Sequence, residues 1–195
     1  MASTIPPTAA PPRPWPRVKW TRAGQLAPLL EDLVDLGDHA DTPPPLAFAA
    51  LRGTDLLQAT RFVAQCLPRM EALRWVAAAL GSMKDVTDPK RLVARKAVNR
   101  WLAEPSDANR RLAFDAGQAA GFATAEGAAC LAVFLSGGSL APATQEQGVQ
   151  PAPGSFGQAV AGAVMMAMLN NDPKGFDGRL AGALDAAERL ASGEG

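Results

Sequence analysis

Apolar residues recur along most of this chain at intervals of three and four, and the polar stretches between them fall at breaks marked by proline and glycine. That period predicts helices. The first short candidate is GQLAPLLEDLVDLGD, whose leucines and Val34 share a face and which Pro28 starts or interrupts. Past the break DTPPP, a short helix is expected in TPPPLAFAALRG, and Thr54 is placed to cap DLLQATRFVAQCL, which must end near Pro68. PRMEALRWVAAALG restarts with proline in its first turn, sets Leu73, Val76, Ala77 and Leu80 at helical spacing, and stops at Gly81.

TDPKRLVARKAVNRWLAEP carries Asp88 as N-cap and Pro89 as first helical residue, with Val93, Ala97 and Trp101 on one face and Pro105 closing it. Ser106 caps the next helix, ending at Gly121, and Thr124 caps AEGAACLAVFLS, ending at Gly137. Residues 138–154 then form a linker rich in proline, glycine and glutamine, longer than the usual connection, and read as either a functional loop or a mobile connection. Ser155 is placed to cap FGQAVAGAVMMAML. Asp172 with Pro173 opens the last helix, with Phe176, Leu180, Leu184, Ala187 and Leu190 in one stripe.

The expected fold is therefore all-α: a compact multi-helix bundle or stacked helix pairs, one domain over residues 20–195. Residues 1–19 are proline-rich and are expected to form a disordered tail; PPRPWP within them could serve as a polyproline ligand. Composition supports the class. Hydrophobic residues make up 48% of the 195 and are heavily alanine, aromatics only 6%, and tyrosine is absent, a balance that suits close-packed helices better than strands. Many expected helix contacts fall on Ala or Gly, which lets backbones approach closely.

Lys+Arg and Asp+Glu are equal at 19 each, so no overall field draws the chain to nucleic acid or anionic lipid. The N-terminus lacks a basic region followed by a continuous apolar core, so export by the general secretory route is not expected. The apolar window Ala159 to Leu169 is shorter than the roughly 20 residues a bilayer requires. Cys66 and Cys130 stand singly in apolar segments, as buried thiols of a reducing cytoplasm would.

Candidate chemistry is sparse. FLSGGSLAP has the glycines of a phosphate loop but no lysine at the required spacing, and it follows a helix rather than preceding one. Ser139 as a nucleophile would need a base, and His39 is the single histidine. The plainer reading is a glycine C-cap, with Gly137 left-handed, Gly138 reversing the chain and Pro142 preventing the helix from resuming. Asp35, Asp38, His39 and Asp41 are metal-ligand types, but no second histidine exists and the spacing matches no calcium loop. No metal or cofactor is expected. Glu71, Glu104, Asp107, Asp115 and Glu126 are assigned to helix ends and polar faces.

Two surfaces are candidates for a partner. Arg91, Arg95 and Arg100, with Lys90 and Lys96, make a basic face suited to an acidic protein, or to nucleic acid as a weaker alternative, with Trp101 turned to the core. Met165, Met166 and Met168 could form an adaptable apolar surface if one helix face is open.

The run CLPRMEALRWVAAAL, followed by AVNRWLAEPSDANRRLAFDAGQAAGFATAEGAACLAVFLSGGSLAP, resembles an uncharacterised family of bacterial helical proteins, a domain of unknown function. The pattern L-P-x-x-x-A-x-x-W falls on Leu67, Pro68, Ala72 and Trp75, and W-x-x-x-P-x-x-x-x-R on Trp101, Pro105 and Arg110. S-G-G-S-L-A-P falls on Ser136 through Pro142, which makes Gly137, Gly138 and Ser139 family markers. The resemblance implies an accessory protein encoded near type VI secretion spike and adaptor genes, acting in the cytoplasm to load an effector or assemble the tip. It brings no catalytic residues. The leading expectation is a non-enzymatic adaptor or chaperone whose partner is a secretion effector or a spike or adaptor component. A small hydrolase using Ser139 or the Asp38/His39/Asp41 cluster is the alternative.

Overall fold

The computed structural model describes residues 12–142, 144–170 and 172–194. Among them are nine α-helices and no strand: α1 Ala27–Leu30, α2 Pro44–Thr54, α3 Leu56–Cys66, α4 Arg69–Ser82, α5 Pro89–Ala103, α6 Asp107–Ala120, α7 Ala125–Leu135, α8 Ser155–Leu169 and α9 Phe176–Ser192. Short 3₁₀ turns flank α1.

The sequence of α7, AEGAACLAVFL, is apolar on every side except at Glu126, and a helix with no polar face must be surrounded. It is the central helix. It packs against α4, α5, α6 and α8, and α8 in turn reaches α3, α4 and α9. These cross-connections give a compact bundle; in a stacked array each pair would meet only its neighbours. Small residues set the spacing: a Cβ on Gly127 would stand 2.1 Å from the Gly121 carbonyl oxygen, and one on Gly117 2.7 Å from Cys130 Cβ. Only glycine permits the α6–α7 hairpin to close this tightly.

Trp75 is buried in α4 and its indole N–H donates to the Ala183 carbonyl at 2.7 Å, tying α4 to α9. Of the segment expected to be loose, residues 1–11 lie outside the described residues, and within residues 12–19 Trp15 and Val18 pack on the core. Trp15 is buried against Phe48, ring centroids 5.1 Å apart, and the Arg17 amide donates to the Ala191 carbonyl at 3.2 Å. An aromatic ring among the prolines supplies the apolar area that prolines alone lack.

Several helix ends differ from expectation. Asp55, not Thr54, caps α3: its carboxylate accepts from the Leu57 and Gln58 amides at 2.8 and 3.0 Å, while the Thr54 hydroxyl turns back onto the last carbonyls of α2. A charged acceptor makes the stronger cap, and the Gln58 amide foremost among its donors holds the Asp55 carboxyl below its usual range. Gly154, at φ +80°, precedes α8, so Ser155 is its first residue rather than its cap. The last helix starts at Phe176, after Gly175 at φ +74°, because Asp172 spends its carboxylate on the Lys174 amide in a turn around Pro173. Along α5 the buried residues are Ala94, Val98 and Trp101; Val93 is 56% exposed.

Candidate protein-interaction site

Ser106 starts α6 by accepting from the Asn109 amide, and this places Arg110 in the first turn with its guanidinium directed under the end of α7. Arg110 is 3% exposed. Its Nε and Nη2 donate to Asp107 Oδ1 at 2.9 and 2.5 Å, Nη1 to the Phe134 carbonyl at 2.8 Å, and Nη2 also to the Ser139 carbonyl at 2.8 Å. The guanidinium carbon lies 4.6 Å from the centre of the Phe134 ring. Hydrogen bonds from Arg111 first, then from Arg110, hold the Asp107 carboxyl below its usual range. One planar fork thus joins α6, the last turn of α7 and the segment leaving it.

Gly138, not Gly137, takes the left-handed conformation, at φ +71°. A side chain there would be strained, and its Cβ would stand 3.1 Å from Arg110 Nε. Past this turn, Ser139 Oγ accepts from the amides of Ala141 at 3.1 Å and Val149 at 2.9 Å, and the Leu140 amide donates to the Val149 carbonyl at 2.8 Å. Residues 140–149 therefore leave and return at one point. The expected linker contains a closed loop with a narrow neck, the arrangement of compact surface loops that often carry function.

On the other side of Gly137 and Gly138 lies an open cleft of about 780 Å³. Its walls are the strap Arg17–Trp20, the α3–α4 junction around Pro68 and Arg69, and the extended segment Gln150–Pro153 leading into α8. Among the described residues no carboxylate lines it.

The partner candidates named from sequence are dispersed. Arg91 Nε and Arg95 Nη2 each donate at 2.8 Å to the carboxylate of Glu126, which is fully buried in the first turn of α7. Two residues of the supposed basic face thus turn inward, while Arg100, with Lys90 and Lys96, stays exposed. Glu126 was assigned to a helix end from sequence, and its burial is the difference: charge neutralised by two guanidinium groups can enter the core. Of the methionines, Met168 is buried, Met165 packs against the core, and Met166 is 36% exposed, so the three do not form one open groove. Trp101 is buried, as expected.

Among the described residues no group of three metal-ligating side chains converges. Asp41 pairs with Arg22, and Asp35 accepts from the Gly37 amide. Both cysteines are free and buried; burial raises the Cys66 thiol well above its ordinary range, and burial followed by the nearby Glu126 charge pushes Cys130 up to about 12. Among the described residues no helix is long and apolar enough to cross a membrane.

The residues that organise the site, from Trp75 through Arg110 to the glycine turn, all fall within residues 47–191, which match the model of a family of unknown function, DUF6931. The chain belongs to this family. No curated protein and no solved structure matches it. The DUF6931 region contains the Arg110 fork, the loop neck and every wall of the cleft but the strap, while Arg17, Lys19, Trp20 and Leu29 come from the chain before it. In the sequence pattern Arg110 is a marker with no role attached. The signal was an arginine in the first turn after a Ser cap, one helix away from a glycine turn whose carbonyls need donors.

Proposed function

We propose that the protein is a non-enzymatic adaptor or chaperone that acts in the cytoplasm and loads a type VI secretion effector onto its spike or adaptor. The observation that supports this reading is the closed loop 140–149, with an exposed tip among its described residues, which Arg110 and Ser139 hold on the bundle beside an open cleft. Binding surfaces of this kind gain affinity because little ordering remains to be done when the partner arrives. The resemblance to proteins encoded near secretion spike genes supplies the class of partner.

The hydrolase alternative draws no support from the contacts of Ser139. Its oxygen is an acceptor for two backbone amides, with no basic side chain hydrogen-bonded to it among the described residues.

The experiment is deletion of the gene in a strain carrying a functional secretion system, with neighbouring effectors followed for solubility, half-life and export. Loss of export for at least one effector, together with co-purification of that effector with this protein, is expected. Effectors equally soluble, stable and exported without the protein would overturn the reading.

A further inference from the structure

The cleft beside Gly137 is a broad concavity, and its charge is one-sided. Arg17 and Lys19 reach it from the strap, and Arg69 from the start of α4. Four helix ends also meet there: the N-terminal turns of α4 and α8, neither capped by a side chain, and the C-terminal turns of α3 and α7. Partial charges of about half a unit at each end, two of each sign, offset one another. Side chains therefore decide the sign of the site. Arg17 is shared with Glu71, 3.4 Å away, which also lies 3.8 Å from Arg74. Lys19 and Arg69 have no carboxylate within ion-pair distance among the described residues, and the Arg69 guanidinium lies close to the Gly137 backbone.

Apolar side chains stand beside these cations, among polar groups such as Gln65, Gln150 and Ser155. Trp20, Leu29, Leu67 and Phe156 supply rings and branched chains, and Pro151 and Pro153 fix the backbone of one wall. A free inorganic anion would use the cations and leave these side chains uncovered. An extended chain with Asp or Glu beside an apolar residue meets both. We propose that this cleft binds an acidic, apolar-flanked peptide segment of a protein partner, with Lys19 and Arg69 taking its carboxylates and Trp20 and Phe156 its apolar side chains. This deepens the adaptor reading and rests on it.

The test uses the full chain and a random short-peptide display library, selected in parallel on the native protein and on the double variant Lys19→Gln/Arg69→Gln. Arg69 only borders the Gly137 turn and Lys19 lies over the adjacent Trp20 ring, 4.5 Å from its centroid, with no ion pair for either among the described residues, so the variant is expected to keep the native circular dichroism and melting curve. Enrichment of Asp or Glu next to Leu, Phe or Trp is expected on the native protein alone. The best peptide should shift the Trp20 indole and the Gly137 and Gly138 amide NMR signals, and bind about tenfold more weakly to the variant or as its Asn/Gln isostere. Selected peptides without acidic enrichment, or enriched equally by the variant, would overturn the proposal. So would acetate or inorganic phosphate occupying the site as tightly as the peptide, which would make it a simple anion site. The two readings fail separately: an effector loaded normally by the double variant removes the cleft and leaves the adaptor, whereas effectors exported without this protein remove the adaptor whatever the peptides do.

Discussion

The Arg110 side chain and the Ser139 main chain are joined at 2.8 Å, although one belongs to the first turn of α6 and the other to the loop after α7. The same guanidinium also binds the Phe134 carbonyl and Asp107, so four acceptor contacts depend on one buried residue. The exit angle of the loop is consequently set by α6, a neighbour in space and not in sequence.

Replacing Arg110 with alanine leaves the Phe134 carbonyl buried without its donor and removes the clamp on the loop. Arg110→Ala is expected to destabilise the fold by about 1–3 kcal/mol, the cost of a buried acceptor left without its donor, since Asp107 is exposed and its charge returns to water. Arg110→Lys should recover little, because an ammonium cannot span three acceptors in a plane. Urea unfolding followed by circular dichroism checks both, and a loss below about 1 kcal/mol would mean the network is dispensable.

Ser139→Ala removes the acceptor for two amides at the loop neck. A loss of about 1 kcal/mol is expected, confined to the loop. Hydrogen exchange should accelerate at Val149 and Ala141 while amides of α7 stay protected; unchanged protection at Val149 would show that the hydroxyl does not hold the neck.

Glu126→Gln keeps shape and removes charge, leaving Arg91 and Arg95 facing a neutral amide in the core. A loss of about 3–5 kcal/mol is expected. Arg91→Met and Arg95→Met added to Glu126→Leu should return much of it, since apolar groups of similar volume can replace a buried ionic cluster. Thermal melts of the single and triple variants decide; a triple variant weaker than Glu126→Gln would contradict the account.

Both thiols are held protonated by burial. Their contribution to stability is fully present below the unfolded-state thiol pKa of about 8.5 and is lost as pH rises from there toward the folded values. For Cys130 that window closes at about 12. A disulfide-exchange reagent at pH 8 should label neither cysteine in the native protein and both in denaturant. Cys66→Ala and Cys130→Ala should flatten the alkaline decline.

The helices were legible in the sequence wherever one local signal sufficed. Asp88, Ser106 and Thr124 accept from the amides of Lys90, Asn109 and Gly127, as their positions before apolar periodic runs require. The rotation of α5 was not legible, because Val93–Ala97–Trp101 and Ala94–Val98–Trp101 both satisfy a helical period. The choice between them is made on α7, where burying Glu126 demands that Arg91 and Arg95 point inward. Their spacing of four was the available trace. The cleft was hidden for a similar reason: strap, α4, α7 and α8 contribute to it from four distant stretches, and none is unusual alone.

The neck made by Ser139, Leu140 and Val149 closes the loop without help from its tip, where the described residues from Pro142 to Gly148 are exposed. Chain inserted there meets no packing requirement, and the entropy of a longer closed loop rises by only about 0.6 kcal/mol per doubling. The tip is thus a natural port: an epitope, fluorophore or cross-linker placed between Gln145 and Gln147 would ride on an undisturbed bundle. It would also report on whatever approaches that end of the molecule.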